Sequence, residues 1–192
     1  MLETGLPIHL RRCQFFWVLL CPPGQLPPTT IGVTQQFQVS RHISTPITAV
    51  RADQILADAS NILQVNDGSG DVACNVGLVR NGGIGTFAAP QFINSAADMN
   101  AALALPGEIK VVDQINWCGG FSPNIIGCAP VPGNSLVVVR FNVALEGILW
   151  VHEFGHNQGL NHRNDPNGVM DSTIGNTRRR VNIAECTAYE VP

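Results

Sequence analysis

Lysine is almost missing from this chain of 192 residues: Lys110 is its one occurrence, and the only tight basic run is Arg178, Arg179 and Arg180. With a net charge of -3, that shortage excludes a nucleic-acid binder, which needs a basic face. Charged residues make up 13% of the chain, about half the usual ~25%. Long apolar runs are also missing. The longest mostly apolar stretch, Cys13 to Cys21 behind Arg11 and Arg12, falls far short of the ~20 residues that a membrane-spanning helix needs, so no transmembrane anchor is expected. There is no C-x-x-C pair, which removes zinc-ribbon and thioredoxin readings. No internal repeat is visible.

Glycine and proline are plentiful, 19 and 13 residues, so long loops are expected around one folded domain. Residues 1–30 read as a leader: a short apolar stretch, then a proline-rich linker over 22–30. Residues 31–192 read as the folded body. Its four cysteines, Cys74, Cys118, Cys128 and Cys186, suit an oxidising compartment and allow three pairings. The glycines and proline between Cys118 and Cys128 favour that bridge, which leaves Cys74 with Cys186. A secreted, extracellular or periplasmic protein is expected, and nothing points to a partner subunit.

The patterning predicts a strand over 34–43 and an amphipathic helix over 46–64, with Thr45 as N-cap and Ala52, Ile55, Leu56, Ala59, Ile62 and Leu63 on one face. A turn is expected at 66–71, where Val72 and Leu78 fall at the positions an EF-hand reserves for Gly and Glu. Strands follow over 72–80 and 108–117 with a short helix over 95–104 between them. A proline-bounded edge segment (125–131), an apolar strand (135–141) and a helix (143–158) complete an α/β or α+β fold with a mixed sheet.

The chemistry lies at 152–162, where three of the five histidines occur. Residues four apart share a helix face, so His152 and His156 offer two imidazoles to one ion. Gly159 permits the left-handed backbone that stops the helix, and the chain then brings His162 round as a third ligand. Three nitrogens leave a fourth position open, the arrangement of a catalytic zinc site. Glu153 sits in a segment apolar nearly all round, where a carboxylate is costly unless it works. Beside His152 it is placed to take a proton from a water held on zinc and return it to a leaving amine.

His152 to His162 matches H-E-x-x-H-x-x-G-x-x-H, and on these residues the chain resembles the metzincin metallopeptidases. The resemblance implies one catalytic Zn2+ and a twisted mixed five-stranded sheet with a backing helix and an active-site helix. It also implies an upper subdomain over 31–159, a small irregular lower one over 160–192, and a methionine turn under the metal, for which Met170 is the candidate. In such enzymes an extended peptide pairs with the sheet edge, here Ile125, Ile126, Gly127, Cys128 and Ala129. Arg163 follows the third histidine, where the families of the clan carry other residues, and Ser172 replaces the tyrosine of astacins and serralysins. The nearest style is that of matrixins, adamalysins or pappalysins. The expected function is a zinc endopeptidase; the alternative is a zinc-dependent peptide- or protein-binding module without turnover. Arg178 to Arg180, beyond Met170, read as a solvated basic surface run, with an acidic preference in the substrate as the alternative.

Overall fold

The apolar spacing after Pro46 forms a helix, α1 (Ala49–Gln64), in a computed structural model that describes residues 32–65 and 72–192. The leader, the linker over 22–30 and the turn at 66–71 lie outside the described residues. The buried face of α1 is Ala52, Ile55, Leu56, Ala59, Ile62 and Leu63, the residues its 3–4 spacing selects. Its cap is Thr48, not Thr45, with the Thr48 side chain accepting from Arg51 N at 3.1 Å. Thr45 is unavailable for capping because its hydroxyl donates to the Asp113 carboxylate.

The first strand divides into β1 (Val33–Phe37) and β2 (Val39–His42). Between them the Gln38 carbonyl accepts from the N–H groups of Glu108 (3.0 Å) and Ile109 (3.1 Å). Next come β3 (Val76–Arg80), shorter than 72–80, and two short strands without a readable period, β4 (Gly85–Phe87) and β5 (Phe92–Ile93). Helix α2 (Ala96–Leu103) follows, capped by Ser95. The expected strand over 108–117 breaks at Asp113 into β6 (Ile109–Val112) and β7 (Gln114–Trp117). There the Asp113 N–H bonds the Gln91 carbonyl and the carboxylate collects Ser44, Thr45 and Gln91. The remaining elements are β8 (Phe121–Ile125), β9 (Gly127–Cys128), β10 (Leu136–Val139), α3 (Glu146–Asn157) and α4 (Ile183–Tyr189).

The central sheet has five strands in the order β4-β2-β6-β10-β9. The first four run parallel, and β9 closes the edge antiparallel to β10, with Gly127 opposite Val138. The expected edge segment therefore sits at the edge but pairs over only two residues, because Pro130 and Pro132 cannot donate to a ladder. A parallel pair β1-β3 and a small sheet β5-β7-β8 flank it. The disulfide Cys118–Cys128 ties the β7-β8 hairpin to the edge strand, and Cys74–Cys186 ties the start of β3 to α4.

Helix α3 is buried along its whole length, as its apolar sequence requires. It lies against α1, and Gly147 allows the approach: a Cβ there would meet Asp58 Cβ at 2.7 Å and Ala59 N at 3.2 Å. The first turn of α3 is anchored by charge. Glu146, 1% exposed, accepts from Arg51 Nε (3.0 Å) and Nη2 (2.7 Å) and from Arg140 Nε. Lys110, equally buried in β6, turns its ammonium to the carbonyls of Gly107 and Leu103 and to Ser135 Oγ. Burial pushes its pKa down to about 8, against an upward pull from Glu108.

Candidate metal centre

His152, Glu153 and His156 project from the last turns of α3. Gly159, at φ +85°, ends that helix by adopting the left-handed conformation a side chain would resist. The chain then reverses, and His162 comes back over the helix. One ligand atom from each of His152, His156 and His162 lies within 4.8 Å of the others.

Two of the three rings are oriented by backbone carbonyls: His152 Nδ1 lies 2.7 Å from Val169 O and His156 Nδ1 lies 2.8 Å from Leu160 O. A carbonyl only accepts, so in both rings the proton sits on Nδ1 and the Nε2 lone pair is free. His156 Nε2 and His162 Nε2 approach to 3.2 Å, an arrangement that a shared cation satisfies. Burial pushes the His152 pKa down to about 4 and lowers that of His156, with the neighbouring imidazoles adding to the effect. Neutral imidazole is the form that binds metal. The donor set, three neutral nitrogens with an open side, is compatible with zinc.

Glu153 is 4% exposed, and burial raises its pKa to about 8. Its Oε2 has no hydrogen-bond partner among the described residues. A buried, unpartnered carboxylate oxygen is costly.

A cleft of about 730 Å³ runs past these residues. Ile125, Ile126, Gly127, Cys128 and Ala129 form one wall, and Ser172, Thr173 and Ile174 contribute to the other. Gly127 lies directly over Glu153: a Cβ there would sit 2.7 Å from Glu153 Cδ and 2.8 Å from Cγ. Sequence reasoning placed Gly127 on the edge strand and missed this contact, which only the tertiary fold creates.

Met170 is fully buried below the helix, in the turn where Gly168 N bonds Asp165 O (2.9 Å) and Asp171 N bonds Gly168 O (3.1 Å). The Tyr189 hydroxyl donates to Val151 O at 3.1 Å and reaches Met170 Sδ at 3.4 Å. Gly155 makes room for both, since a Cβ there would lie 2.5 Å from that hydroxyl and against the sulfur. The roles of Gly155 and of the chain's single tyrosine were not legible, because neither fills a defining motif position.

The arginine run does not line the cleft. Arg178 Nη2 bonds Thr173 Oγ1 (3.0 Å) and its Nε lies 3.6 Å from Asp171, while Arg179 Nε bonds Asn176 O (3.2 Å). The run thus lies outside the cleft, as the surface reading has it, and the alternative of an acidic preference gains no support from the lining. Arg178 braces the wall from behind, and among the described residues the only acidic or guanidinium side chain lining the cleft is Glu153.

The three imidazoles gather at the end of a buried helix, within an α/β fold built on a mixed five-stranded sheet with a backing helix. Among solved structures, the crystal structure of archaemetzincin from Methanopyrus kandleri shares it, with a TM-score of 0.53 over 84% of this chain and 95% of that one. The two are 17% identical, and the likeness is one of fold. No protein-family model and no curated protein matches the chain.

Proposed function

We propose that this chain is a zinc-dependent endopeptidase of metzincin type, with residues 31–192 as its catalytic domain. The observation that carries the reading is the pairing of a buried carboxylate lacking a hydrogen-bond partner on Oε2 with three converging imidazoles in one open cleft. His152, His156 and His162 would hold the ion, and zinc when bound supplies Lewis acidity toward water and the peptide carbonyl. Glu153 is the general base, taking a proton at its carboxylate and passing it to the leaving amine; a pKa near working pH suits both halves of that task. Gly159 and Met170 are structural, the first turning the chain toward His162 and the second forming the floor beneath the histidines. An extended peptide pairs with the free edge of β9, its backbone held by Ile125 to Ala129 and its side chains sorted by the cleft walls.

The two disulfides support an extracellular or periplasmic setting, and among the described residues no helix is long and apolar enough to cross a membrane. The protein is read as a monomer acting on protein or peptide substrates.

The test is cleavage of a quenched, unstructured protein by the purified chain, with zinc stoichiometry and a chelator control. One zinc per chain and chelator-sensitive cleavage are expected, and Glu153→Ala should keep the zinc and lose turnover. Zinc without cleavage would instead identify a peptide-binding module, and cleavage by the Glu153→Ala protein would remove the role given to Glu153.

A further inference from the structure

His162 is held differently from the other two histidines. His152 and His156 each spend Nδ1 on a backbone carbonyl, whereas His162 Nδ1 has no hydrogen-bond partner among the described residues. His162 is also the exposed member of the trio, on a stretch that is neither helix nor strand. A metal-binding histidine ordinarily has its second nitrogen fixed by such a partner, which sets ring orientation and tautomer. Here the placement has to come from the residues beside it.

The next residue supplies it. Arg163 N donates to Met170 O at 2.7 Å, joining the His162 segment to the methionine turn. The Arg163 guanidinium reaches three acceptors in three directions: Nη1 lies 2.7 Å from Asp165 Oδ2, Nη2 donates to Arg180 O at 3.2 Å, and Nε lies 2.8 Å from Glu185 Oε1, an ion pair off the N–H axis. Its seat is tight, since a Cβ on Gly168 would lie 2.6 Å from Nη2 and 3.0 Å from Cζ. Glu185 is itself fixed. It is 4% exposed, its Oε2 accepts from Asn182 N at 2.9 Å in the capping box of α4, and the adjacent Cys186 is bonded to Cys74. A chain of rigid contacts thus runs from the Cys74–Cys186 bridge through Glu185 and Arg163 to His162.

We propose that Arg163, paired with Glu185, is the positioning residue for the third metal ligand, and that this pair sets the affinity of the centre for zinc. The proposal rests on the reading of His152, His156 and His162 as a zinc site. Removing an outer partner of a metal ligand typically costs about 10- to 100-fold in affinity, and that is the effect assigned to the loss of Arg163. A lysine offers one point charge where the planar fork spans three acceptors, so Arg163→Lys should restore only part of the loss.

The test is a zinc competition titration of the full chain against a chromogenic chelator, with the thermal midpoint of the zinc-free protein as a folding control. Arg163→Met and Glu185→Gln are expected to weaken zinc about 10- to 100-fold, with Arg163→Lys between them and the parent. His162→Ala should weaken it further, and adding Arg163→Met to His162→Ala should then change little, because the residue being positioned is gone. That last non-additivity is something a purely structural role for Arg163 would not produce. If Arg163→Met cannot be folded, Glu185→Gln carries the test from the other side of the pair. Zinc affinity within threefold of the parent in Arg163→Met and Glu185→Gln, with His162→Ala clearly weakened, overturns the positioning role and leaves the zinc site standing. Parent-like affinity in His162→Ala overturns the site and the proposal together.

Discussion

Gly127→Ala places a methyl group where the edge strand passes over the base of the proposed centre. The new Cβ would stand 2.7 Å from Glu153 Cδ and 2.8 Å from Cγ, against the 3.5–4.0 Å at which carbon atoms rest. One of the two must retreat by about 1 Å. The strand is constrained on both sides, by its ladder to β10 and by the disulfide at Cys128, so the carboxylate moves. Overpacking a filled interior costs about 1–3 kcal/mol, and replacing a flexible glycine returns about 0.4–1 kcal/mol through the unfolded chain. The net loss is about 1–2 kcal/mol, or a few degrees in thermal midpoint for a domain of this size. The effect on turnover should be larger in proportion, since a catalytic group misplaced by about 1 Å can cost on the order of 100-fold. Zinc content should not change, because the atoms that the new Cβ would meet first all belong to Glu153. Peptide hydrolysis and elemental zinc, measured on the same preparation, separate the two effects. A Gly127→Ala protein within threefold of the parent in kcat/KM would refute the placement of Glu153 against the edge strand.

Two further predictions concern the frame around the site. Glu146→Gln leaves Arg51 and Arg140 without their shared carboxylate and should cost about 3 kcal/mol in urea unfolding, the lower end for breaking a buried ion pair, since both arginines retain some contact with water; a loss under about 1 kcal/mol would show that solvent substitutes for the clamp. Lys110 has a folded pKa of about 8 against 10.5 unfolded, so between those values the unfolded chain binds the extra proton and stability rises with pH. Its contribution is complete above 10.5 and lost as pH falls through 8. Relative to Lys110→Met, the parent should gain stability between pH 8 and 10 by at most ~1.4 kcal/mol per unit, less whatever water screens; parallel curves for the two proteins would contradict the assignment.

The parts of the molecule readable in advance were those governed by local rules. The buried face of α1 follows from its 3–4 spacing, and the reach of His152 and His156 toward a common point follows from helix geometry. The bridge between Cys118 and Cys128 follows from a short loop rich in glycine. The failures share another cause. Thr45 looked like a helix cap, but Asp113, far along the chain, claims its hydroxyl. A strand drawn through 108–117 is severed at the same aspartate by the hydrogen bonds it makes to Ser44, Thr45 and Gln91. The arginine run reads as a solvated surface, yet Arg178 is occupied by Thr173, Pro166 and Asp171. Arg163, Gly155 and Tyr189 stayed silent for the same reason, because the groups that give them meaning arrive from distant segments.

The bridge between Cys118 and Cys128 gives the upper wall of the cleft a mechanical independence. Residues 118–128 form a covalent ring whose base is the edge strand over Glu153, while its outer residues, Ser122, Pro123 and Asn124, line the cleft. Under the proposed function, sequence drift at those outer residues would alter what the cleft admits while Gly127 keeps its seat over Glu153. On that reading recognition and chemistry sit on separate parts of the same chain, so loops of different length could be grafted between the two cysteines as interchangeable heads on one proposed hydrolytic centre.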